Sequence, residues 1–274
     1  MKILAQDVKI GDFIASDYGL CVGFFDYDGN EEADTEFSVQ TIEEYIGDSA
    51  TPIYFGQKYD SKLRPSLSLV KNPCVSPDPY LSEFELRGIL RAVLGIRGYV
   101  WMNLLDDNPG EDIAYKIRVI NVKYQLVTGR VAAIILEMEA DSQFGYSREQ
   151  SISQYVSANT AYNIYTPMND DIHNYLLPVV KFTASSSGQW TLTNQTDNSW
   201  QSIMKNVGSG ETITIDSQRE IITTSSSSHR STILADFNLR FPRMISPKSV
   251  YTSSLSGTLE FIFRSKIRVG FVTK

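Results

Sequence analysis

The chain has 274 residues, a length that allows one large β domain or two ordinary domains, and the proportions of 42% hydrophobic and 21% charged residues exclude a disordered or fibrous protein. The formal net charge of −7 argues against binding to nucleic acid backbones, which requires cationic side chains. Because no apolar run approaches the roughly 18 residues of a membrane helix and positions 6, 7 and 9 are polar, we expect neither a membrane segment nor an export signal.

One helix is predicted among the strands, at residues 82–94. Ser82 and Glu85 have the spacing of a capping box, and apolar side chains follow with a helical repeat: Leu86, Ile89, Leu90, Val93 and Leu94. Gly95 is a typical residue at a helix C-terminus. The apolar stripe predicts a helix that packs on a sheet rather than one that forms a groove for a partner.

A long β-hairpin is predicted over residues 113–140. Apolar residues alternate with period 2, first at Ile113, Tyr115, Ile117 and Val119, then in the opposite phase at Ile120, Val122, Tyr124 and Leu126. Since a shift of one residue turns every side chain to the other face, a bulge or a crossing between sheets is expected near Val119. Thr128 and Gly129 offer a tight turn into a strand that begins near Val131.

The composition changes after Asp141, because residues 142–159 are polar and rich in Ser and Gln. We place a domain boundary there and expect one domain of residues 1–145 and a second of residues 146–274.

Short β-prone runs in the second half favour a β-sandwich. They occupy residues 212–215 and 220–224, on either side of a polar turn. Two further strands are predicted, one from the alternation of Ile233, Ala235, Phe237 and Leu239, the other from residues 259–271, as one long strand or a bent pair.

The sequence contains none of the common motifs of enzyme chemistry. Phosphate-binding glycine patterns are absent, and no G-x-S-x-G elbow surrounds a serine. Nothing nearby orients His173 or His229, so each is interpreted as part of a solvated loop. Cys21 and Cys74 are compatible with one disulfide or with two free thiols, and a reducing cytosol favours the thiols. We therefore expect no enzymatic activity, no catalytic residues and no cofactor.

Metal and sugar sites are the remaining candidates. Four residues have the alternating spacing of calcium ligands: Asp26, Asp28, Asn30 and Glu32. An EF-hand loop requires glycine at its sixth position, whereas Gly29 is at the fourth position here. An acidic turn is therefore favoured and no metal site is expected. Adjacent acids at 31/32, 43/44, 106/107 and 170/171 are interpreted as turn residues. Trp190 and Trp200 would form sugar-stacking platforms if exposed, although packing in the core or at an edge is favoured.

Short motifs follow one another in a characteristic order in the N-terminal half. They are Ser38-Val39-Gln40, Tyr59-Asp60-Ser61, Leu67-Ser68-Leu69, Lys71-Asn72-Pro73, the predicted helix, Gly98-Tyr99-Val100-Trp101-Met102, Tyr115-Lys116-Ile117-Arg118-Val119 and Glu137-Met138-Glu139-Ala140. This order resembles that of the distal tail (Dit) proteins of siphophages, and the resemblance covers residues 21–140, about half of the chain.

The resemblance implies a mainly β protein with two β-sandwich domains. The first would be tail-tube-like with one flanking α-helix, and the second galectin-like, closing with a hairpin around Ser256 and Gly257. The sugar-binding residues of galectins have no counterpart here.

The same resemblance implies a structural role at the tail tip of a virion that is assembled in the host cytoplasm. A homo-hexameric ring would form the hub that joins the tail-tube protein to the tail-associated fibre protein and to receptor-binding proteins. Phage DNA would pass through the channel without sequence-specific binding, and no membrane would be bound.

Two other functions stay open. A carbohydrate-binding adhesion module on the virion would rest on the two tryptophans, and a cell-wall hydrolase on the paired acids and the histidines.

The charges are unevenly distributed along the sequence. Residues 24–48 contain nine acids and no base, whereas the chain from Arg240 onward contains seven bases and a single acid, Glu260. In a ring, the acidic segment would line the channel or its rim and repel DNA, although a solubilising surface loop is favoured.

Overall fold

The computed structural model describes residues 6–23, 39–47, 50–59, 62–105, 113–171 and 174–268. The chain divides into two compact units, one of residues 1–146 together with 268–274 and one of residues 147–267. Strands dominate both units, so the expected mainly β class is confirmed.

The first unit is built on one antiparallel sheet in the order β2-β1-β7-β8-β9-β6-β3, with β10 paired to β8 and with β4 and β5 in a separate hairpin. Its elements are β1 (Asp7–Ile10), β2 (Phe13–Ile14), a 3-10 turn (Ala15–Tyr18), β3 (Leu20–Val22), β4 (Val39–Glu44), β5 (Ile53–Tyr59), β6 (Ser66–Lys71), α1 (Glu83–Leu94), β7 (Val100–Leu105), β8 (Ala114–Val127), β9 (Arg130–Ala140) and β10 (Phe144–Tyr146). The sheet curls until the Val22 amide donates to the Gln6 carbonyl 3.2 Å away.

Helix α1 begins at the predicted capping box. The Ser82 hydroxyl accepts from the Glu85 amide, and the Glu85 carboxylate accepts from the Ser82 amide at 2.8 Å. Ile89 and Val93 are buried, four residues apart on one face, so the helix packs through the predicted apolar stripe.

The β8–β9 hairpin confirms the change of apolar phase. Its register shifts between Val119 and Asn121, where the extra residue of a bulge reverses the faces of the strand. Thr128 and Gly129 form the turn with φ of 51° and 80°, the positive values that a two-residue hairpin of this kind requires.

The second unit is a β-sandwich. Its five-stranded sheet has the order β11-β19-β13-β16-β17, and its four-stranded sheet the order β12-β18-β14-β15. The elements are β11 (Gln150–Val156), β12 (Ala161–Tyr165), β13 (Val179–Ala184), β14 (Gly188–Asn194), β15 (Trp200–Val207), β16 (Thr212–Asp216), β17 (Ile221–Thr224), α2 (Ile233–Asp236), β18 (Lys248–Ser253) and β19 (Gly257–Phe263), followed by β20 (Lys266–Arg268), whose last residue belongs to the first unit. Apolar side chains of both sheets form one core.

Two details of the second half differ from the sequence-based prediction. The hairpin expected around Ser256 and Gly257 is wrong, because β18 and β19 lie in different sheets and the chain crosses between them at this turn. The strand expected at residues 233–239 is wrong, because the chain forms the short helix α2 there; Ile233 in the helix and Phe237 just after it are buried, whereas Ala235 is exposed. The segment from residue 259 is a bent pair, β19 and β20, and its positions beyond 268 lie outside the described residues.

Candidate interaction surfaces

The β4–β5 hairpin carries the most conspicuous apolar surface of the first unit. Its two strands pair only with each other among the described strands. Six large apolar side chains on the strands and next to them are 47–61% exposed: Ile42, Tyr45, Ile46, Ile53, Tyr54 and Phe55. A two-stranded hairpin is marginally stable in water by itself, and a cluster of exposed apolar residues marks a binding surface in soluble proteins.

A second surface is the outer half of β8. The neighbouring strand β7 pairs with β8 only through residue 117, so beyond that point β9 is the one described strand paired with β8. Exposed apolar side chains occur on this open edge at Ile120, Tyr124 and Leu126, with exposures of 50%, 44% and 60%. Open strand edges bind further strands through their unpaired amides and carbonyls.

The outer face of α1 is a third surface. Phe84 is 88% exposed and Leu94 is 62% exposed, on the side of the helix opposite the buried Ile89 and Val93. Arg87 and Arg91 are exposed on the same face of the helix, where Glu83 pairs with Arg87. This face is therefore both apolar and basic.

A buried carboxylate organises several charges on the main sheet. Glu139 faces Arg118 at 2.8 Å, Lys62 at 3.6 Å and Arg64 at 3.7 Å. Burial alone would raise the pKa of Glu139, but hydrogen bonds from Tyr99 and Arg118 outweigh it and lower that pKa. Glu139 therefore stays ionised and gathers exposed cations on this part of the first unit.

The two tryptophans, for which packing in the core or at an edge was favoured over a sugar platform, have different positions. Trp190 is fully buried, stacked on Phe182 with ring centroids 4.5 Å apart, and its indole N–H donates to Ser253. It therefore cannot bind a sugar. Trp200 is partly exposed, but the Arg243 guanidinium covers its ring at 3.8 Å and Arg240 lies 5.1 Å from the ring centre.

The described residues test the prediction of a solvated loop for one of the two histidines, His229. His229 is buried between Glu211 and Asp236, so its interpretation as a solvated residue is wrong. The sequence missed this cluster because the partners lie 18 and 7 residues away along the chain and only the fold brings them together. His173 lies outside the described residues.

The other candidates give no catalytic arrangement. Cys21 and Cys74 are free thiols, and burial raises the pKa of Cys21, so the thiol of Cys21 is a poor nucleophile. The four residues with the spacing of calcium ligands and the acid pairs 31/32 and 106/107 lie outside the described residues, while Glu43 and Glu44 are exposed on β4. Within the described ranges no group of three or more His, Cys, Asp or Glu residues is placed to hold a metal ion.

The charges that looked unbalanced along the sequence are partly paired in space. Arg243 binds Asp197 at 2.5 Å and Lys266 binds Asp171 at 2.7 Å, both acids being buried. Of the nine acids at residues 24–48, only Glu43 and Glu44 belong to the described part of the chain.

Neither of the two helices described is long and apolar enough to cross a membrane.

Both halves of the chain match models of known protein families. Residues 4–142 match the family model described as a phage tail protein N-terminal domain, and residues 144–263 match the phage tail C-terminal domain. No curated protein matches the chain by sequence.

The fold is similar to solved structures of phage tail proteins. The Dit protein of phage SPP1, described as a paradigm of hub adsorption apparatus in phages that infect Gram-positive hosts, is 11% identical with a TM-score of 0.59, over 94% of this chain and 98% of that chain. A chain of the phage P2 baseplate in its activated conformation with Ca is 9% identical with a TM-score of 0.57, over 97% and 99% of the two chains. The expected likeness to distal tail proteins is thus confirmed at the level of the fold.

Proposed function

The chain belongs to the phage tail protein family that these two domain models describe, and from this premise we propose that it is a non-enzymatic hub subunit of the tail tip. Six copies would form a closed ring, with the tail-tube protein on one side and the tail-associated fibre protein on the other. The similarity of fold to the SPP1 Dit protein over nearly the whole of both chains supports this assignment.

The observation that supports the proposal most directly is the exposed apolar surface of the β4–β5 hairpin. Its exposed apolar side chains need to be covered, and a copy of the same chain is the partner that a ring supplies. A contact between this hairpin and a different surface of the next subunit is heterologous, and such contacts generate rings when the rotation closes.

The outer face of α1 is the surface that complements the hairpin in the neighbouring copy. The hairpin presents Glu43 and Glu44 beside its apolar residues, whereas α1 presents Arg87 between Phe84 and Leu94. Opposite charges on matching apolar surfaces fix the orientation of subunits and suppress incorrect pairing. The open edge of β8 is a further place for a neighbouring strand to add.

The second unit, which we propose to be galectin-like, would serve as the peripheral platform for receptor-binding proteins. The acidic segment of residues 24–48 would line the channel or its rim, where negative charge keeps the DNA from adhering. A carbohydrate-binding role has lost its main support because Trp190 is in the core, and no described arrangement favours a cell-wall hydrolase.

The proposal is tested by the mass and the electron-microscopic appearance of the purified full chain over a range of concentrations. The native protein is expected to form six-subunit rings, whereas Tyr54→Asp combined with Phe55→Asp places charge in the covered surface and yields monomers. Leu234→Asp is the matched control, because Leu234 is 66% exposed on α2 in the other unit, and it should still form rings.

Two results would contradict the proposal. One is a native chain that stays monomeric at every concentration and in the presence of tail-tube and fibre proteins of the same phage. The other is a double variant that forms the same rings as the native chain.

A further inference from the structure

The outer face of the five-stranded sheet in the second unit has no part in the assembly proposed above. Its residues alternate with buried ones along β13, β16, β17 and β19, and the strand register adds alternate residues of β11. More than half of these outward side chains carry a hydroxyl group: Ser151, Ser153, Tyr155, Thr183, Thr212, Thr214, Thr223 and Thr258. The face therefore offers many hydrogen-bond donors and acceptors and little apolar area.

The strand register arranges part of this face in two adjacent rows. The first row, read from β11 to β16, consists of Tyr155, Thr258, Thr183 and Thr212. The second row, two residues further along each strand, consists of Ser153, Glu260, Lys181 and Thr214. Residues two positions apart on a strand are separated by about 7 Å, so one small ligand can contact both rows.

Tyr155 supplies a flat apolar surface in the first row. It is 63% exposed, and its phenolic oxygen accepts a hydrogen bond from the Ser185 hydroxyl at 3.4 Å. Because Ser185 follows β13 and β19 lies between β11 and β13, the side chain of Tyr155 reaches across β19 and leaves a face of its ring to solvent. The C–H groups on one face of a pyranose ring form an apolar surface that can be buried against such an aromatic ring.

An ion pair occupies the second row. Nζ of Lys181 is 3.3 Å from Oε2 of Glu260, while Oε1 of Glu260 accepts from the Ser151 hydroxyl at 2.7 Å. The hydrogen bond from Ser151, together with that from Lys181, lowers the pKa of Glu260 despite its partial burial, so this carboxyl group stays ionised. The two side chains are 41% and 27% exposed and keep further donors and lone pairs for a ligand. A sugar hydroxyl both donates and accepts, so two neighbouring hydroxyls can bind the carboxylate and the ammonium group together.

The charge of the two rows distinguishes between classes of ligand. Lys181 and Glu260 neutralise each other, and the other six side chains of the rows are uncharged. An anionic polymer would find no net positive charge here. A protein partner would find one exposed aromatic ring without the cluster of apolar side chains that marks a protein interface. A neutral ligand with several hydroxyl groups and an apolar face is complementary to both the ring and the polar side chains.

We propose that Tyr155, Lys181 and Glu260 form a binding site for a neutral sugar on the outer face of the second unit. The ring of Tyr155 stacks on the apolar face of the sugar, and the ion pair binds two of its hydroxyl groups. The hydroxyls of Thr183 and Thr212, which are 2.8 Å apart, extend the polar surface towards the next sugar of a glycan chain. The site involves neither of the two tryptophans and does not depend on the assembly of subunits.

The site is tested by saturation-transfer NMR of the full chain with the methyl glycosides of glucose, galactose, mannose and N-acetylglucosamine at millimolar concentration. Binding of at least one of them is expected. Tyr155→Ala should weaken that binding by about tenfold or more because the stacking surface is lost, whereas Tyr155→Phe keeps the ring and should retain most of it. Glu260→Gln removes the charged acceptor and should also weaken binding by about tenfold.

Tyr165→Ala is the matched control. Tyr165 is 56% exposed on β12 of the other sheet, with Nζ of Lys248 5.5 Å from its ring centre, and its loss should leave sugar binding unchanged. The proposal is overturned if none of the four glycosides binds, or if Tyr155→Ala binds as tightly as the native chain. Equal weakening by Tyr155→Ala and Tyr165→Ala would also overturn it, because the sugar would then contact exposed aromatic rings without a site. The mass of the assembled rings is measured separately, so a hub that binds no sugar is recognised as such.

Discussion

Gly257, the first residue of β19, has no room for a side chain. A Cβ atom at this position would lie 2.2 Å from the carbonyl oxygen of Thr183 and 2.8 Å from the ring of Phe182. Neither neighbour can move easily, because Thr183 pairs within the sheet and the Phe182 ring is stacked on Trp190 with an angle of 5° between the planes. The approach of two backbones at this point therefore requires glycine.

We predict that Gly257→Ala lowers the free energy of unfolding of the second unit by about 1–3 kcal/mol, the usual cost of overpacking a core. Gly88→Ala is the matched control, because Gly88 is inside α1 with open space around it, and alanine there should stabilise by about 0.5–1 kcal/mol. Urea denaturation measures the free energy of unfolding of both variants, which should fall for Gly257→Ala and rise for Gly88→Ala. Equal stability of Gly257→Ala and the native chain would mean that β13 and β19 can separate without loss.

The residues that sequence could not place are those whose surroundings come from distant parts of the chain. The polar sequence around Trp190 left a sugar platform open beside the favoured packing in the core or at an edge, and Phe182, Ser253 and the opposite sheet enclose its ring in the core. Acids elsewhere in the second unit likewise balance Arg243 and Lys266. Side-chain type and local composition contain no record of such contacts, so exposure and pairing at these positions follow only from the fold.

At the scale of elements, α1 is joined to the sheet by a charge as well as by its apolar face. Glu85 binds Lys71 of β6 at 2.8 Å while it also completes the capping box with Ser82. The hydrogen bonds from Lys71 and Ser82 lower the pKa of Glu85 to about 2. The carboxylate thus caps the N-terminus of the helix and also anchors it to the sheet.

This lowered pKa makes the anchor sensitive to acid. Because the folded pKa is below the ordinary value of about 4.3, the stabilisation is complete above that pH and is lost as the pH falls towards 2. Glu85 is partly exposed, so solvent screening keeps its contribution below about 1 kcal/mol. We predict that Glu85→Gln destabilises the first unit at pH 7 and reduces its loss of stability between pH 5 and pH 2.

The matched control is Glu83→Gln, since Glu83 is in the same first turn but is 77% exposed and pairs with Arg87 of the same helix. Thermal unfolding at several pH values distinguishes the two variants. An acid dependence of Glu85→Gln as steep as that of the native chain would show that another carboxylate is responsible.

Local pattern predicted some elements well and others poorly, for a physical reason. The capping box, the bulge near Val119 and the turn at Thr128 depend on neighbours within a few residues, and all were confirmed. The turn at Ser256 looked like a hairpin because the two flanking strands alternate correctly, but alternation does not specify which sheet a strand joins. At residues 233–237 only Ile233 and Phe237 are buried, and a spacing of four residues fits both one face of a helix and alternate positions of a strand.

At the scale of the whole molecule, the points at which the chain enters and leaves the second unit are adjacent. Ser147 at its start bonds Ser265 near its end, since the Ser147 amide donates to the Ser265 carbonyl and the Ser265 amide donates to the Ser147 hydroxyl, both at 2.9 Å. The residue that follows the unit, Arg268, belongs to the first unit again. Segments whose ends are close together resemble inserted domains, which usually fold without their host.

We therefore predict that residues 147–267 fold as an isolated fragment with one cooperative urea transition, because both sheets and their shared core are complete within these limits. A fragment of residues 1–146 keeps the main sheet but lacks Arg268 and the residues after it, so it should unfold cooperatively at a lower urea concentration than the first unit of the full chain. Joining residues 268–274 to residue 146 through a short Gly/Ser linker, in place of the second unit, is the control and should restore part of that difference. Circular dichroism and tryptophan fluorescence follow the transitions, with Trp101 reporting the first unit and Trp190 and Trp200 the second. A gradual, non-cooperative loss of signal from the fragment of residues 147–267 would show that the second unit depends on the first for its core.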